Sequence, residues 1–148
     1  DWIAAGYRRG GYPAEPIMRE PWRARGLGDF WGNRWNRGFS DWARVFLFLP
    51  LTRKLGVAWG TLAGFLASGV AHELVISVPA QGGYGLPTLY FLIQGAGLRA
   101  EKRFRAGEGW ITRAWMWLVL ILPAPLLFHP PSLEGVFHPM TQFLTWTR

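Results

Sequence analysis

The chain has no cysteine, which excludes a disulfide framework, a thiolate nucleophile and a Cys-ligated metal. It has no HExxH and no close His/Asp/Glu grouping, so no metal site is expected. GxSxG, P-loop and Rossmann fingerprints are also absent, and a serine nucleophile has no supporting motif. Acidic residues are few: nine, against sixteen Lys and Arg, giving a net charge of +7. Basic residues are themselves missing from one long region, with none between positions 55 and 98. That gap excludes a uniformly charged surface and divides the chain into apolar runs and basic segments.

Half of the 148 residues are hydrophobic and ten are tryptophan, a residue that favours the membrane–water boundary. Residues 1–28 read as a loop rich in Gly, Pro and Arg. The spacing predicts a short helix over Asp29–Phe39 with Asp29 near its N-cap. A second is predicted over Asp41–Leu49, capped by Ser40, ended by Pro50 and lying at the membrane surface. Leu55–Val78 is long enough to cross a bilayer. Residues 79–87 read as a turn and Thr88–Leu98 as a short apolar span. Residues 99–109 read as a charged loop, and Trp110–Phe128 as a span kinked by Pro123 and Pro125. An interfacial helix is expected over 136–148. His129 and His138, each beside a proline, read as solvent-facing loop residues.

Charge supports this layout. Ten Lys/Arg precede residue 55, five lie between 99 and 113, and one is Arg148. The positive-inside rule puts residues 1–54 and 99–109 on the cytoplasmic side. The expected fold is all-α: a polytopic, multi-pass bundle integral to the membrane, with about three spans plus short interfacial helices. Basic, aromatic-rich segments also bind nucleic acid. Here the arginines flank apolar spans instead of forming one stripe, so no nucleic-acid partner is expected.

The Leu55–Val78 segment carries two ionisable residues, His72 and Glu73, side by side. Ionisable groups within a span are costly and point to function. Gly60, Gly64 and Ser68 precede His72 at intervals of four and make a stripe of small residues. Such a stripe serves close helix packing or leaves room for a substrate chain. Glu73 lies about 100° round the helix from His72, which favours a structural role. Upstream, the segment Asp29-Phe30-Trp31-Gly32-Asn33-Arg34-Trp35-Asn36 gives, as a helix, a tryptophan face beside a polar face. An interfacial anchor has the same pattern.

The order GLGDFWGNRWN (26–36), basic apolar helix, FLASGVAHEL (65–74) resembles the wax-synthase-like branch of the membrane-bound O-acyltransferases. The likeness runs from about Met18 to Arg105 and more weakly beyond. It rests on a DFWG…RWN block followed by SG-x-x-HE inside a membrane helix. The resemblance implies a many-helix bundle with a tunnel in which an acyl thioester, usually acyl-CoA, meets a hydroxyl acceptor. Acyl-CoA would be a co-substrate, with no other cofactor. His72 matches the family's membrane histidine and Asn36 the asparagine of its upstream block, giving two candidate catalytic residues.

A histidine can act as general base on the hydroxyl, and Asn36 can orient it or donate to the oxyanion. Trp31, Asn33, Arg34, Trp35, Arg37 and Ser68 are candidate substrate-binding residues. Arg34 and Arg37 suit either CoA phosphates or anionic membrane lipid. Asp29 and Glu73 are candidate structural residues near the site. Asn33 stands where similar sequences often have a second basic residue. The family's N-terminal membrane helices are missing, so the resemblance makes residues 1–148 the C-terminal part of one acyltransferase domain and the missing helices its partner. Residues 1–54 form its interfacial motif region and 55–148 its helices and tail. The acceptor, a lipid or alcohol, and the acyl length stay open. The alternative is a non-catalytic bundle, a transporter or scaffold piece. A proton relay would require more ionisable groups along the spans than His72, Glu73 and the near-terminal Arg113.

Overall fold

A backbone crossing hydrocarbon must satisfy its own N–H and C=O groups, and a helix does so within one segment. The computed structural model describes residues 2–13, 15–104 and 109–133, and every regular element among them is helical. Helix α1 spans Trp2–Arg9, where the composition predicts loop. A 3₁₀ turn covers Pro21–Arg23. Helix α2 (Leu27–Asp29) runs into a π turn, Phe30–Arg34. Helix α3 (Arg37–Ala43) passes through a second π turn, Arg44–Phe48, into α4 (Leu49–Leu55). Helix α5 (Val57–His72) continues through a third, Glu73–Ser77, into α6 (Val78–Ala80). After a turn come α7 (Leu86–Phe104), α8 (Trp110–Ile121) and α9 (Ala124–Leu127).

Several boundaries differ from expectation for identifiable reasons. The helix predicted over 29–39 is broken at Asn36, whose φ of 42° lies in the left-handed region. Ser40 therefore sits inside α3, and Asn36 is its cap. Pro50 does not end a helix; it occupies the first turn of α4, where its missing N–H costs least. The stop comes at Gly56, with φ 88°. The charged loop predicted from 99 starts later, because Arg99–Phe104 continue α7; residues 105–108 lie outside the described residues. So do His138 and the interfacial helix predicted over 136–148. His129 is buried, with 2% exposure: its Nδ1 accepts the Ser132 N–H at 3.3 Å, and its ring fills the place where Gly83 lacks a side chain.

Among the described residues two helices are long and apolar enough to cross a membrane, Val57–Ala80 and Trp110–Leu127, each with mean hydropathy 1.5. Their apolar side chains largely face outward: Leu62, Leu66, Val70, Leu74, Leu118, Ile121 and Leu122 are exposed. That is the reverse of a soluble protein's core helix. Helix α7 matches a span in length at 19 residues, but its last turns carry Arg99, Glu101, Lys102 and Arg103.

Helix α7 lies between the other two. Its Phe91, Gln94 and Leu98 are buried among Leu27, Phe65, Met116 and Val119. Glycines let the backbones approach. A Cβ on Gly97 would lie 2.6 Å from Val119 Cγ1, and one on Gly69 of α5 would lie 2.8 Å from Thr88 Cα. Two polar side chains cross-link α7 to α8: Gln94 Nε2 donates to the Val119 carbonyl at 2.7 Å and Trp115 Nε1 to that of Gly97 at 3.1 Å.

Gly69→Ala is therefore expected to force α5 and α7 apart and lose roughly 1–3 kcal/mol. A Cβ at Gly64 meets nothing within 4 Å, so Gly64→Ala should keep or raise stability. Thermal unfolding of the two variants in detergent, beside wild type, checks the contrast.

Candidate active site

The block 26–36 is fixed from α7. The Glu101 carboxylate accepts the Leu27 N–H at 2.8 Å and the Gly28 N–H at 3.3 Å, satisfying donors left open at the helix start. A Cβ at position 26 would lie 2.9 Å from both Glu101 oxygens, so a larger residue there would have to displace the carboxylate. Asp29 then gathers the turn, accepting from Arg25 N at 3.1 Å, Asn33 Nδ2 at 3.1 Å and Arg34 Nε at 2.7 Å. Partial burial pushes the Asp29 carboxyl up. The hydrogen bonds from Arg34, Asn33 and the Arg25 backbone outweigh it and hold the group below the ordinary aspartate range.

The π turn changes which residues align. Trp35 N–H bonds the Phe30 carbonyl at 2.9 Å, five residues back, and the Phe30 and Trp35 rings stack at 5.5 Å and 14°. The face predicted to hold Trp31 and Trp35 together is therefore split. Trp31 instead turns inward against Phe65 and Phe91, at 5.9 and 5.7 Å. Asn36 follows in its left-handed conformation, with its Oδ1 accepting the Phe39 N–H at 3.3 Å. That bond leaves the two Nδ2 hydrogens available as donors.

On α5 the small-residue row divides by position. Gly60 packs against α4, where a Cβ would lie 2.3 Å from Thr52 Oγ1, whereas Gly64 faces open space. His72 ends the row, half-buried, with Nδ1 2.7 Å from the Ser68 carbonyl oxygen. A carbonyl only accepts, so Nδ1 carries a proton, and in the neutral ring it is Nε2 that then holds the lone pair. The ring lies against Phe91, with centroids 4.4 Å apart and planes inclined by 44°. Glu73 points elsewhere. Its Oε1 accepts from Gly85 N, Thr88 N and Thr88 Oγ1 at 3.0, 3.1 and 2.9 Å, at the start of α7.

A cavity of ≈ 330 Å³ lies between the two motifs. Trp31, Asn33, Trp35 and Asn36 line it from one side, and Gly64, Ser68 and His72 from the other. Asp29, Arg34, Arg37 and Glu73 are not among its lining residues. Arg34 is held by Asp29 and by the Arg19 and Glu20 carbonyls, and Arg37 by Glu15 at 2.6 Å. The cations that do line the cavity are Arg44 and Lys102. Neither has an ion-pair partner among the described residues. Phe91, Leu98 and Lys102 share one face of α7 at spacings of seven and four, a helical signal present in the sequence. Glu101 left no such signal, since its partners are backbone groups more than seventy residues away.

Residues 14–93, which hold both motifs, match the model of the membrane bound O-acyl transferase family. The chain belongs to that family. Among its relatives is a probable long-chain-alcohol O-fatty-acyltransferase 7 of Arabidopsis thaliana, 33% identical over 145 residues. That match covers 84% of this chain and 42% of the relative. Another, the probable long-chain-alcohol O-fatty-acyltransferase 3 of the same plant, is 34% identical over 118 residues, covering 71% of this chain and 33% of the relative. The long-chain-alcohol O-fatty-acyltransferase of Simmondsia chinensis is 37% identical over 67 residues, 40% of this chain and 19% of that protein. The chain thus spans less than half the length of these relatives. No solved structure matches it. The family is membrane-bound, and the two apolar helices among the described residues agree with that setting.

The Asp29 cluster sets an acid limit on the motif turn. A carboxyl held low in the folded state adds stability above its unfolded pKa and loses it as pH falls through its folded pKa. Tryptophan emission should shift as pH drops below about 4, and Asp29→Asn should show the shifted emission already at neutral pH. Fluorescence titration of both proteins in detergent checks this.

Proposed function

We propose that this chain carries the reaction centre of a membrane-embedded O-acyltransferase that moves an acyl group from acyl-CoA to the hydroxyl of a long-chain alcohol. The observation that carries the reading is the shared cavity: Asn36 and His72, from separate motifs, line one space, and His72 meets it with the tautomer a base requires. Membership of an acyltransferase family and the names of the relatives support the chemistry and the acceptor class.

In this mechanism Nε2 of His72 takes the proton of the acceptor hydroxyl as its oxygen attacks the thioester carbonyl carbon. The carbonyl electron pair moves onto oxygen, where an Asn36 Nδ2 hydrogen meets it. Collapse breaks the carbon–sulfur bond, and His72 returns its proton to the departing thiolate. The products are ester and free thiol, and His72 is restored. Arg44 and Lys102, unpaired at the cavity, receive the donor's phosphates in place of the paired Arg34 and Arg37. No cofactor beyond the acyl-CoA co-substrate is required.

The proposed topology has three crossings, α5, α7 and α8–α9, with residues 1–54 and 99–109 cytoplasmic. The apolar faces of α5 and α8 meet lipid or the remainder of a larger bundle, of which this chain forms the C-terminal part.

The test uses membranes containing the complete protein, labelled acyl-CoAs of several lengths and a pool of alcohols. Wild type should form an ester. His72→Ala should lower the rate by about 10²–10⁴-fold, and Asn36→Ala by about 10²–10³-fold. Absence of any ester from folded wild-type protein would instead mark a non-catalytic bundle.

A further inference from the structure

Phe91 occupies a singular position. It is 2% exposed, lines the cavity and touches both motifs. Its ring lies 5.7 Å from Trp31 of the upstream block and 4.4 Å from His72 of the downstream one. Tyr90 braces it edge-on at 5.2 Å. The histidine is otherwise held at a single edge, by the bond from Nδ1 to the Ser68 carbonyl. That bond fixes one atom but leaves the ring free to swing about it, and a flat aromatic neighbour removes the freedom.

A second effect concerns charge. During acyl transfer the imidazole takes up a proton and becomes a cation in an apolar enclosure, where unmet charge is costly. Among the described residues His72 forms no ion pair, and the adjacent Glu73 carboxylate is turned to Gly85 and Thr88. Asp41, Arg44 and Lys102 are the charged residues lining the cavity, two cations against one anion, so the lining offers the ring no net negative charge. What lies beside it is the Phe91 ring, with centroids 4.4 Å apart and planes tilted by 44°. A cation within about 6 Å of an aromatic centroid is attracted by the ring quadrupole, and more strongly once desolvated.

We infer that Phe91 is a positioning residue for acyl transfer, which orients the His72 ring and favours its protonated form by cation–π attraction as the hydroxyl proton arrives. The inference rests on the reading of His72 as general base. It makes the aromatic character of position 91, beyond its bulk, a determinant of turnover.

Two series in the complete protein test it, with ester formation measured against donor and acceptor concentration. Phe91→Leu keeps an apolar side chain and removes the π face. It should lower kcat roughly tenfold with KM little changed, and Phe91→Tyr should restore most of the rate. Fluorinated phenylalanines at position 91 keep the ring's shape while withdrawing its π electron density, so kcat should fall stepwise from one to three fluorines. This series guards against a Leu variant that fails to fold. A flat kcat across the fluorinated series would overturn the cation–π role, and Phe91→Leu with wild-type kcat would overturn the positioning role as well. His72→Ala run in parallel separates the two readings. If it remains active, the general-base proposal itself fails; if it is dead while all Phe91 variants turn over normally, only the present inference fails.

Discussion

The arrangement of the site depends on where α7 lies against α5, and the Glu73 carboxylate sets that placement. One of its oxygens takes two backbone N–H groups and the Thr88 hydroxyl at the start of α7, a charge-assisted cap on donors that would otherwise be unsatisfied in an apolar setting. One turn further along α7 stands Phe91, and one residue back from Glu73 stands His72. The charge beside the histidine thus secures the neighbouring helix instead of entering the cavity. At the other end of α7, Glu101 caps the start of the upstream motif in the same way. Each end of a single helix fixes one half of the site.

Between those ends packing takes over. In a membrane, helices gain little from hiding apolar surface from one another, and close approach with polar cross-links does more. Gly69, Gly95 and Gly97 provide the approach, while Gln94 and Trp115 provide the cross-links. The cavity survives where a small residue is left uncovered. Gly64 faces space, although Gly60, one turn earlier on the same row, is closed by α4.

The parts of the site that repeat with helical period were legible in the sequence. The row ending at His72 does run down one side of α5, and two motifs far apart in the chain do meet at one cavity. The parts that depend on tertiary geometry were not. Trp31 and Trp35 separate because the turn holding them is one residue wider than an α-turn, which no composition reports. Arg34 and Arg37 look free in sequence, yet Asp29 and Glu15 hold them. Arg99–Phe104 resemble a loop by charge but stay helical, because Glu101 faces inward to backbone donors while Arg99 and Arg103 face out. His129 is buried only because Gly83 leaves room for its ring.

The three π turns carry a consequence for how such chains can change length. Each holds one more residue than an α-turn would, at Phe30–Arg34, Arg44–Phe48 and Glu73–Ser77. Deleting one residue within such a turn would close it to a regular α-turn and leave the residues beyond it facing as before, because the extra residue is already absorbed there. The same deletion inside a regular stretch would rotate all that follows by about 100°. Within α5 ahead of Ser68 it would carry His72 away from the cavity it lines. Single-residue gaps are therefore tolerable at the π turns, as in the turns at 35–36, 56 and 81–85, where the chain already reverses or restarts. Elsewhere in the helices, a single lost codon would be felt as a change of direction, even where every motif residue remained.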